Sequence, residues 1–476
     1  SITIRGMATL GNNEPLVVID GILGRDMNSI NANDVESISI LKDASAAIYG
    51  ARAANGVILI TTKRGKDGSP LTLNYNFFQG FMTPTALPKM ADAATYATML
   101  RESQTYQGVD ESNQKFSLND IERYRSGSFP WTNPNTDWFD AALAKNSQTS
   151  NHNVSVSGGN RGVNYFMSFG TQHDDGIFKH SSTAFNRYTI KGSFDAKVNE
   201  YLSIGMDING IQENRDYPSV SSDFNFEGAV KSLPTSPAFY PNGLPGPDIA
   251  YGQNPVITSG SLTGFDEEKR YRANTIFNAT LKIPGVKGLS VSSYYAYDLN
   301  IGQRKLFQKP WTLYQLDEPA YLAAGNTGAE DGSEFLVGSS KGPSEPNLRN
   351  MYDDSRNKTF NIKADFTRQI GDHYISAFAA FETNEFEGKG IEAFRRYFIS
   401  DQLPYLFAGG DAEKNNSEFV TIDSRINYFG RISYNYKENY LLQFSFRRDG
   451  SLRFSEQSGR WGNFPSLLAG WKISNE

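Results

Sequence analysis

Cysteine is absent from the 476 residues, which removes disulfides, thiolate metal sites and cysteine nucleophiles together. Histidine is scarce: His152, His173, His180 and His373 never pair at ligand spacing on one helix, so a zinc site has no framework. No stretch approaches eighteen uninterrupted apolar residues, which excludes a membrane-crossing helix. Basic charge is not in excess either: 46 Lys and Arg stand against 52 Asp and Glu, for a formal net charge of −6. That balance, without a basic stripe, argues against a nucleic-acid partner and against a polybasic membrane anchor. Asp174-Asp175 and Asp353-Asp354 lack the spaced oxygens of a calcium loop and read as turn residues or solvated faces. No catalytic constellation, metal site or cofactor site is expected, and the chain does not read as an enzyme.

What is present is glycine and aromatic character in a chain of modest hydrophobicity: 43 Gly, 25 Tyr and 32 Phe, with 38% hydrophobic residues. A strand-built membrane barrel suits this composition, because its polar lumen face dilutes its apolar lipid face. Tyr188, Ile190, Gly192, Phe194, Ala196 and Val198 occupy one parity and Thr189, Lys191, Ser193, Asp195 and Lys197 the other, the period of a strand. Leu202, Ile204, Met206 and Ile208 repeat the pattern after Asn199-Glu200-Tyr201, which predicts a hairpin with a tight turn. The alternation recurs at 71–81, 154–157, 163–171, 273–283, 289–299, 360–368, 374–386, 425–436, 440–447 and 467–473. This makes about twelve strands of the length a tilted membrane strand needs.

The connections alternate between short and long. Gly285 to Gly288, Gly371-Asp372 and Lys437 to Asn439 are short turns expected on the periplasmic side. The stretches 212–272, 300–358 and 388–422 are long and expected outside, and no fixed-period repeat supports a propeller or solenoid. Residues 96–104 and 118–125 read as helices in the first outer excursion, with Asp92 or Asn119 as caps. Gly158-Gly159-Asn160 sits between two alternating strands and reads as a hairpin turn rather than a phosphate cradle.

Before Arg64-Gly-Lys-Asp-Gly-Ser-Pro70, a polar boundary segment, the period is different. Leu16 to Ile19 is a β-branched run stopped by Asp20-Gly21. Asn33 and Glu36 have capping-box spacing, which predicts a helical turn over 34–37 leading into a strand over 38–41. Ser45 caps a predicted second short helix over 46–49 that Gly50 ends, and Gly56 turns the chain into a strand over 57–62.

The order of these pieces resembles the plug-domain signature of SusC/RagA-type TonB-dependent transporters. Ile4-Arg-Gly6, Pro15-Leu-Val-Val-Ile-Asp-Gly21, the run from Val35 through Gly50 and Gly56 to Lys63, and Thr61-Thr-Lys-Arg-Gly65 carry the likeness. Ala53 departs from it, since glycine is frequent there. Similar text continues at Asp137-Trp-Phe-Asp140, at Asn151 to Gly159 and at Arg460 to Trp471.

The resemblance implies a mainly β fold, a transmembrane antiparallel β-barrel with a small α/β plug at its N-terminus. Such barrels have 22 strands, of which about twelve would lie here. Residues 1–66 would be the C-terminal part of the plug and 67–476 the N-terminal part of the barrel. A signal peptide, an Ig-like extension, the TonB box and the first plug segment would precede Ser1, and this chain alone would show an open wall.

The implied function is TonB-dependent import of an oligosaccharide across the outer membrane of a Bacteroidota-like envelope. A SusD-like surface lipoprotein would act as lid and the TonB-ExbB-ExbD complex would supply energy. An oligopeptide importer of the RagA type is the alternative, followed by a signal-transducing or adhesive receptor. Gly6, Asp20, Gly21, Lys42, Asp43, Gly50, Arg52, Asn55 and Gly56 match the plug motif and would serve plug folding and gating. Tyr165, Tyr201, Tyr295 and Tyr440 are expected in interfacial girdles. Trp131, Trp138, Phe239, Tyr240, Tyr251, Trp311 and Tyr314, in the long outer segments, are expected either to meet cargo or to pack the loops together.

Overall fold

The computed structural model describes residues 2–4, 13–42, 49, 53, 55–181, 183–249, 252–457 and 459–473. A small sheet comes first, formed by β1 (Leu16–Ile19), β2 (Ile22–Leu23), β3 (Val35–Leu41) and β4 (Val57–Thr62) in the order β2-β1-β4-β3. β1 runs parallel to β4, and the other two pairings are antiparallel. Its β-branched runs bury Val18, Ile19, Val57 and Ile60 as a core. Asp20 and Gly21, with φ of 50° and 85°, make the tight turn into β2.

The predicted helical turn lies slightly earlier than its capping-box spacing suggested. It is a 3₁₀ turn over Ala32–Asp34 capped by Asn31, and the strand already begins at Val35. Pairing with β4 extends that strand toward its start, so sheet hydrogen bonds override the local helical option. The predicted helix over 46–49 lies largely outside the described residues.

The second sheet is a meander of twelve strands. Seven are β5 (Thr72–Met82), β6 (Ser147–Gly159), β7 (Val163–Asp175), β8 (Ala184–Lys197), β9 (Leu202–Tyr217), β10 (Gly264–Lys282) and β11 (Leu289–Gln308). A separate hairpin, β12 (Trp311–Leu316) with β13 (Leu336–Lys341), stands in the next loop. The sheet continues through β14 (Asn347–Ile370), β15 (His373–Arg396), β16 (Asn415–Tyr436), β17 (Tyr440–Ser451) and β18 (Trp461–Trp471). All twelve predicted strands are present. Among the described residues, β5 and β18 are not paired with each other.

Burial is inverted relative to a soluble sheet. On β8 the apolar Ile190 and Phe194 face outward at 55% and 39% exposure, while Thr189, Lys191 and Ser193 are buried. An apolar outer face and a polar inner face are what a lipid-embedded strand requires. Glycines close the β10–β11 turn, where Gly285 and Gly288 adopt φ of 81° and 89°, a region only glycine enters freely.

The strands run further than their alternation showed. β14 and β15 each have 24 residues, so the long connections shrink to 218–263, 309–346 and 397–414. Toward that end the strands carry polar residues on both faces, and the period-two signal fades while the ladder continues.

The long-loop end holds the helices. α1 (Ala93–Tyr106) is capped by Asp92 as predicted. α2 (Leu118–Ser126) is capped by Ser117 in a capping box with Asp120, not by Asn119, which lies inside its first turn. α3 (Trp138–Ala142), α4 (Ser222–Lys231), α5 (Pro255–Thr258) and α6 (Glu318–Ala323) complete the layer.

Candidate functional site

The small sheet is seated on the inner face of the large one, and β8 is its main support. Going up β8 from the short-turn end, five of the inward residues meet the small domain or the linker after it. Lys197 pairs with Asp67 at 2.6 Å. Asp195, with Asp207 of β9, receives the Arg64 guanidinium, at 3.2 Å from Asp195. Lys191 donates to the Thr62 hydroxyl, which itself donates to Asp20 at 2.7 Å. Thr189 accepts from the Asn31 amide at 3.1 Å. Arg187 donates to the carbonyls of Asn28 and Ile30.

The chemistry is reciprocal. An ammonium on the wall faces Asp20 and Thr62, and a guanidinium on the linker faces Asp195 and Asp207. Burial works to lower the affinity of Arg64 for its proton, but Asp207, Asp195 and Asp20 outweigh it and hold the guanidinium more firmly charged. Burial pushes the Asp34 carboxyl above its ordinary range, against the pull of a Ser168 hydrogen bond and of the Lys191 and Lys63 charges. Asp34 is 1% exposed, and one of its oxygens has no partner.

Backbone geometry fixes this seat. Thr62 ends β4 and Asp20 follows β1, the parallel neighbour, so strand pairing brings the two side chains together. The Thr62 amide also donates to Asp20 at 2.9 Å. Below them Gly65 passes so close to the β6–β7 turn that a Cβ would collide with the Tyr165 backbone, and Gly159 donates to the Ser69 carbonyl at 3.0 Å.

Farther along the wall, Asn209 of β9 donates to the Ser29 carbonyl at 2.6 Å, Ile22 is buried against Ile276 of β10 and Ala296 of β11, and Arg272 of β10 lies 3.9 Å from Asp26. Arg25, on the segment after β2, forks onto Asp298 of β11 at 2.6 and 3.2 Å. The pair is dry, with side chains 7% and 8% exposed. A cavity of about 500 Å³ lies over Leu23 to Asp26, walled by β10, β11, β14 and β16 with both signs of charge, including Arg272, Asp353, Asp423 and Arg425. A second, of about 450 Å³, reaches to β18 and is lined by Leu23 among the described residues of the small domain.

Among the motif residues, Asp20 is part of the seat, Gly21 is in the turn beside it, and Gly56 has φ of 88° at the entry to β4. The Asn55 amide approaches the Glu14 carbonyl at 3.5 Å, and Lys42 is exposed just after β3. Gly6, Asp43, Gly50 and Arg52 lie outside the described residues.

Sequence reasoning missed Arg25, Thr62, Arg64, Lys191, Asp207 and Asp298 as a set. The polar parity of β8 was visible, but what it faces is not a local property.

The outer aromatics divide. Trp131 stacks on Tyr240 at 5.6 Å, and Tyr314 packs beside them. Trp138 donates its indole N–H to the Leu233 carbonyl at 2.8 Å inside a second apolar cluster. Trp131, Trp138 and Tyr240 are 4–5% exposed, so their rings are taken up by loop packing. Trp311 donates to the Gly252 carbonyl at 3.2 Å. Phe239 is exposed beside His180, and Tyr251 lies outside the described residues.

The description "TonB-dependent Receptor Plug Domain" matches residues 1–57, the small domain. Over the whole chain, the TonB-dependent receptor SusC of Bacteroides thetaiotaomicron is 27% identical, with 45% of its own length covered. A TonB-dependent receptor of Formosa agariphila is 28% identical, with 44% covered. Over its whole length the chain is similar to TonB-dependent receptors of the SusC/RagA type. It spans about half the length of the curated relatives it matches.

The fold agrees. The structure of the RagAB peptide importer in its closed-closed state superposes with a TM-score of 0.78 at 24% identity, covering all of this chain and 53% of that one. The ferric citrate transporter FecA gives 0.54 at 10% identity.

In SusC/RagA terms, the small sheet is the plug and the large one is outer-membrane barrel wall. An aromatic band on the lipid side marks the short-turn end. His373 lies 5.0 Å from Tyr436, and Tyr436, Tyr440 and Trp471 follow in a stacked row at 6.4 Å spacings. Tyr165, Tyr201 and Tyr440 lie near this end. Tyr295 instead lies well inside β11, because that strand continues far past it.

Proposed function

We infer that the chain is the plug-and-wall portion of a TonB-dependent importer, with residues 1–66 as plug and 67–476 as barrel. The observation that carries this is the ladder of polar contacts along β8. A domain held inside a membrane wall largely by hydrogen bonds and ion pairs, with a small apolar contact where Ile22 meets Ile276 and Ala296, can be loosened by an applied force. Force would come from TonB-ExbB-ExbD, and a SusD-like lipoprotein would close over the long-loop end. Asp20, Gly21, Asn55 and Gly56 serve plug folding and gating, together with Gly6, Lys42, Asp43, Gly50 and Arg52.

The cargo is an oligosaccharide, as the SusC/RagA resemblance suggests. An oligopeptide is the second reading. The two-signed lining of the cavity over the plug favours it, since a peptide carries both charges, and the similar RagAB structure is described as that of a peptide importer. Growth of a strain lacking the gene, against its parent, on single glycans and on defined peptides tests this. A defect on one glycan supports the first reading and a defect on peptides the second. No defect on any of them removes the importer reading.

A further inference from the structure

The cavity over the plug continues into a flat strip of wall. The five arginines that line the cavity, Arg25, Arg270, Arg272, Arg425 and Arg453, each stand 3.9 Å or less from a carboxylate. The two signs of charge therefore meet each other first, and the lining offers hydrogen-bonding edges more than free cations. Asn357 and Asn384, joined at 2.8 Å, add neutral amides.

From Arg425 the inward row of β16 runs through Asp423 and Thr421 to Phe419, toward the long-loop end. Facing it on β15 are Phe386, Gly388 and Gly390, paired with Asp423, Thr421 and Phe419 in turn. The rings take the space that these glycines leave. Phe386 lies over Gly388, where a Cβ would stand 3.2 Å from the ring, and Phe419 covers Gly390, where a Cβ would collide with it. Shielding of a cross-strand glycine accounts for the pose of Phe419. It does not use up the ring, which stays 59% exposed and keeps its other face open. The result is an aromatic floor over two successive inward positions of β15. Asp423 borders it on β16, and Ser355 and the exposed Asp353, opposite Gly388 and Gly390, border it on β14.

We propose that this strip is a sugar subsite, in which Phe419 and Phe386 stack against a neutral oligosaccharide while Asp353 and Asp423 accept hydrogen bonds from its hydroxyls. A sugar ring has an apolar C–H face and a rim of hydroxyls, and the strip presents an electron-rich ring face rimmed by acceptors. This deepens the oligosaccharide reading above and rests on it.

The intact transporter, purified in detergent, is applied to a printed array of neutral oligosaccharides and defined oligopeptides, as native protein and as Phe419→Ala, Phe419→Leu and Phe419→Tyr. Native protein should retain a neutral oligosaccharide with equal affinity at about 0.1 M and about 1 M salt. Phe419→Ala should bind it about tenfold more weakly. Phe419→Leu, which keeps apolar area without a ring face, should be as weak as the alanine variant, and Phe419→Tyr should match native. Native-like binding by the alanine or leucine variant overturns the proposal, as does loss of binding at high salt or an array that retains no neutral oligosaccharide. A growth defect of the gene-deleted strain on a glycan, combined with native-like binding by Phe419→Ala, would leave the importer reading standing and remove the subsite alone.

Discussion

Lys191 of the barrel wall donates its ammonium hydrogen to the hydroxyl of Thr62, the last residue of the final plug strand. The contact joins a membrane strand to the plug sheet in an almost dry setting, with Lys191 only 4% exposed. Removing the cation leaves the Asp20 and Asp207 charges around a vacated site. Lys191→Met should therefore loosen the plug by about 3–5 kcal/mol, the usual cost of breaking one partner of a buried charge cluster. Hydrogen exchange of β1 and β4 amides in the reconstituted protein should accelerate, with partial rescue by Lys191→Arg. Unchanged protection would show that the seat does not depend on this ammonium.

Asp34 gives a pH signature. Its folded pKa lies above the ordinary 3.8 because burial disfavours the charged form. The protonated group's contribution to stability is thus complete below 3.8, declines as pH rises from there through the raised folded value, and is flat above it. Asp34→Asn should make the plug more stable than wild type at neutral pH, with the difference disappearing below 3.8. Plug melting curves of both proteins across that range check it, and a gap that persists in acid would refute it.

Two motif glycines should differ in sensitivity. Gly21 has φ of 85°, and nothing lies within 4 Å of the point its Cβ would occupy, so Gly21→Ala meets backbone strain alone, about 1–2 kcal/mol. Gly56 has φ of 88°, and a Cβ there would also stand 2.8 Å from Ile4 Cδ1. Gly56→Ala should cost more, and Gly56→Val should impair plug folding or uptake. Surface display and uptake of the two alanine variants, measured side by side, give the ranking; equal behaviour would contradict it.

Trp138 and Phe239 separate packing from contact. Trp138→Ala empties a buried site in the outer layer at about 3–5 kcal/mol and should expose the loops to trypsin. Phe239→Ala removes an exposed ring, so it should leave trypsin resistance intact and reduce uptake if that ring meets cargo. Trypsin digestion of whole cells followed by uptake measurement distinguishes the two, and equal protease sensitivity would defeat the assignment.

The wall was legible because lipid imposes a strict period of two. Ile190 against Lys191 and Ile208 against Asp207 announce opposite faces without any knowledge of the fold. Asp92 was legible as a cap for the same local reason. Asn119 was not the cap, because Ser117 and Asp120 satisfy two donors at once, which a single residue's preference does not reveal. The upper halves of β14 and β15 were hidden because polar residues on both faces erase the alternation. The site was hidden more deeply still: Arg25 and Asp298 are 273 residues apart, and only the closed arrangement of plug and wall joins them.

The length of β14 and β15 bears on where the proposed importer would first meet its cargo. At about 3.3 Å per residue, 24 residues run to about 80 Å, and even a tilted strand of that length far exceeds the apolar band of about 25 Å that lipid covers. The excess is a hydrogen-bonded palisade standing in the surrounding medium. A solute approaching from that end meets a stiff corridor long before it meets the gate, and its side chains keep fixed spacings that a mobile loop does not hold. A corridor of that kind suits a cargo with length and repeat, in keeping with the oligosaccharide or oligopeptide proposed above.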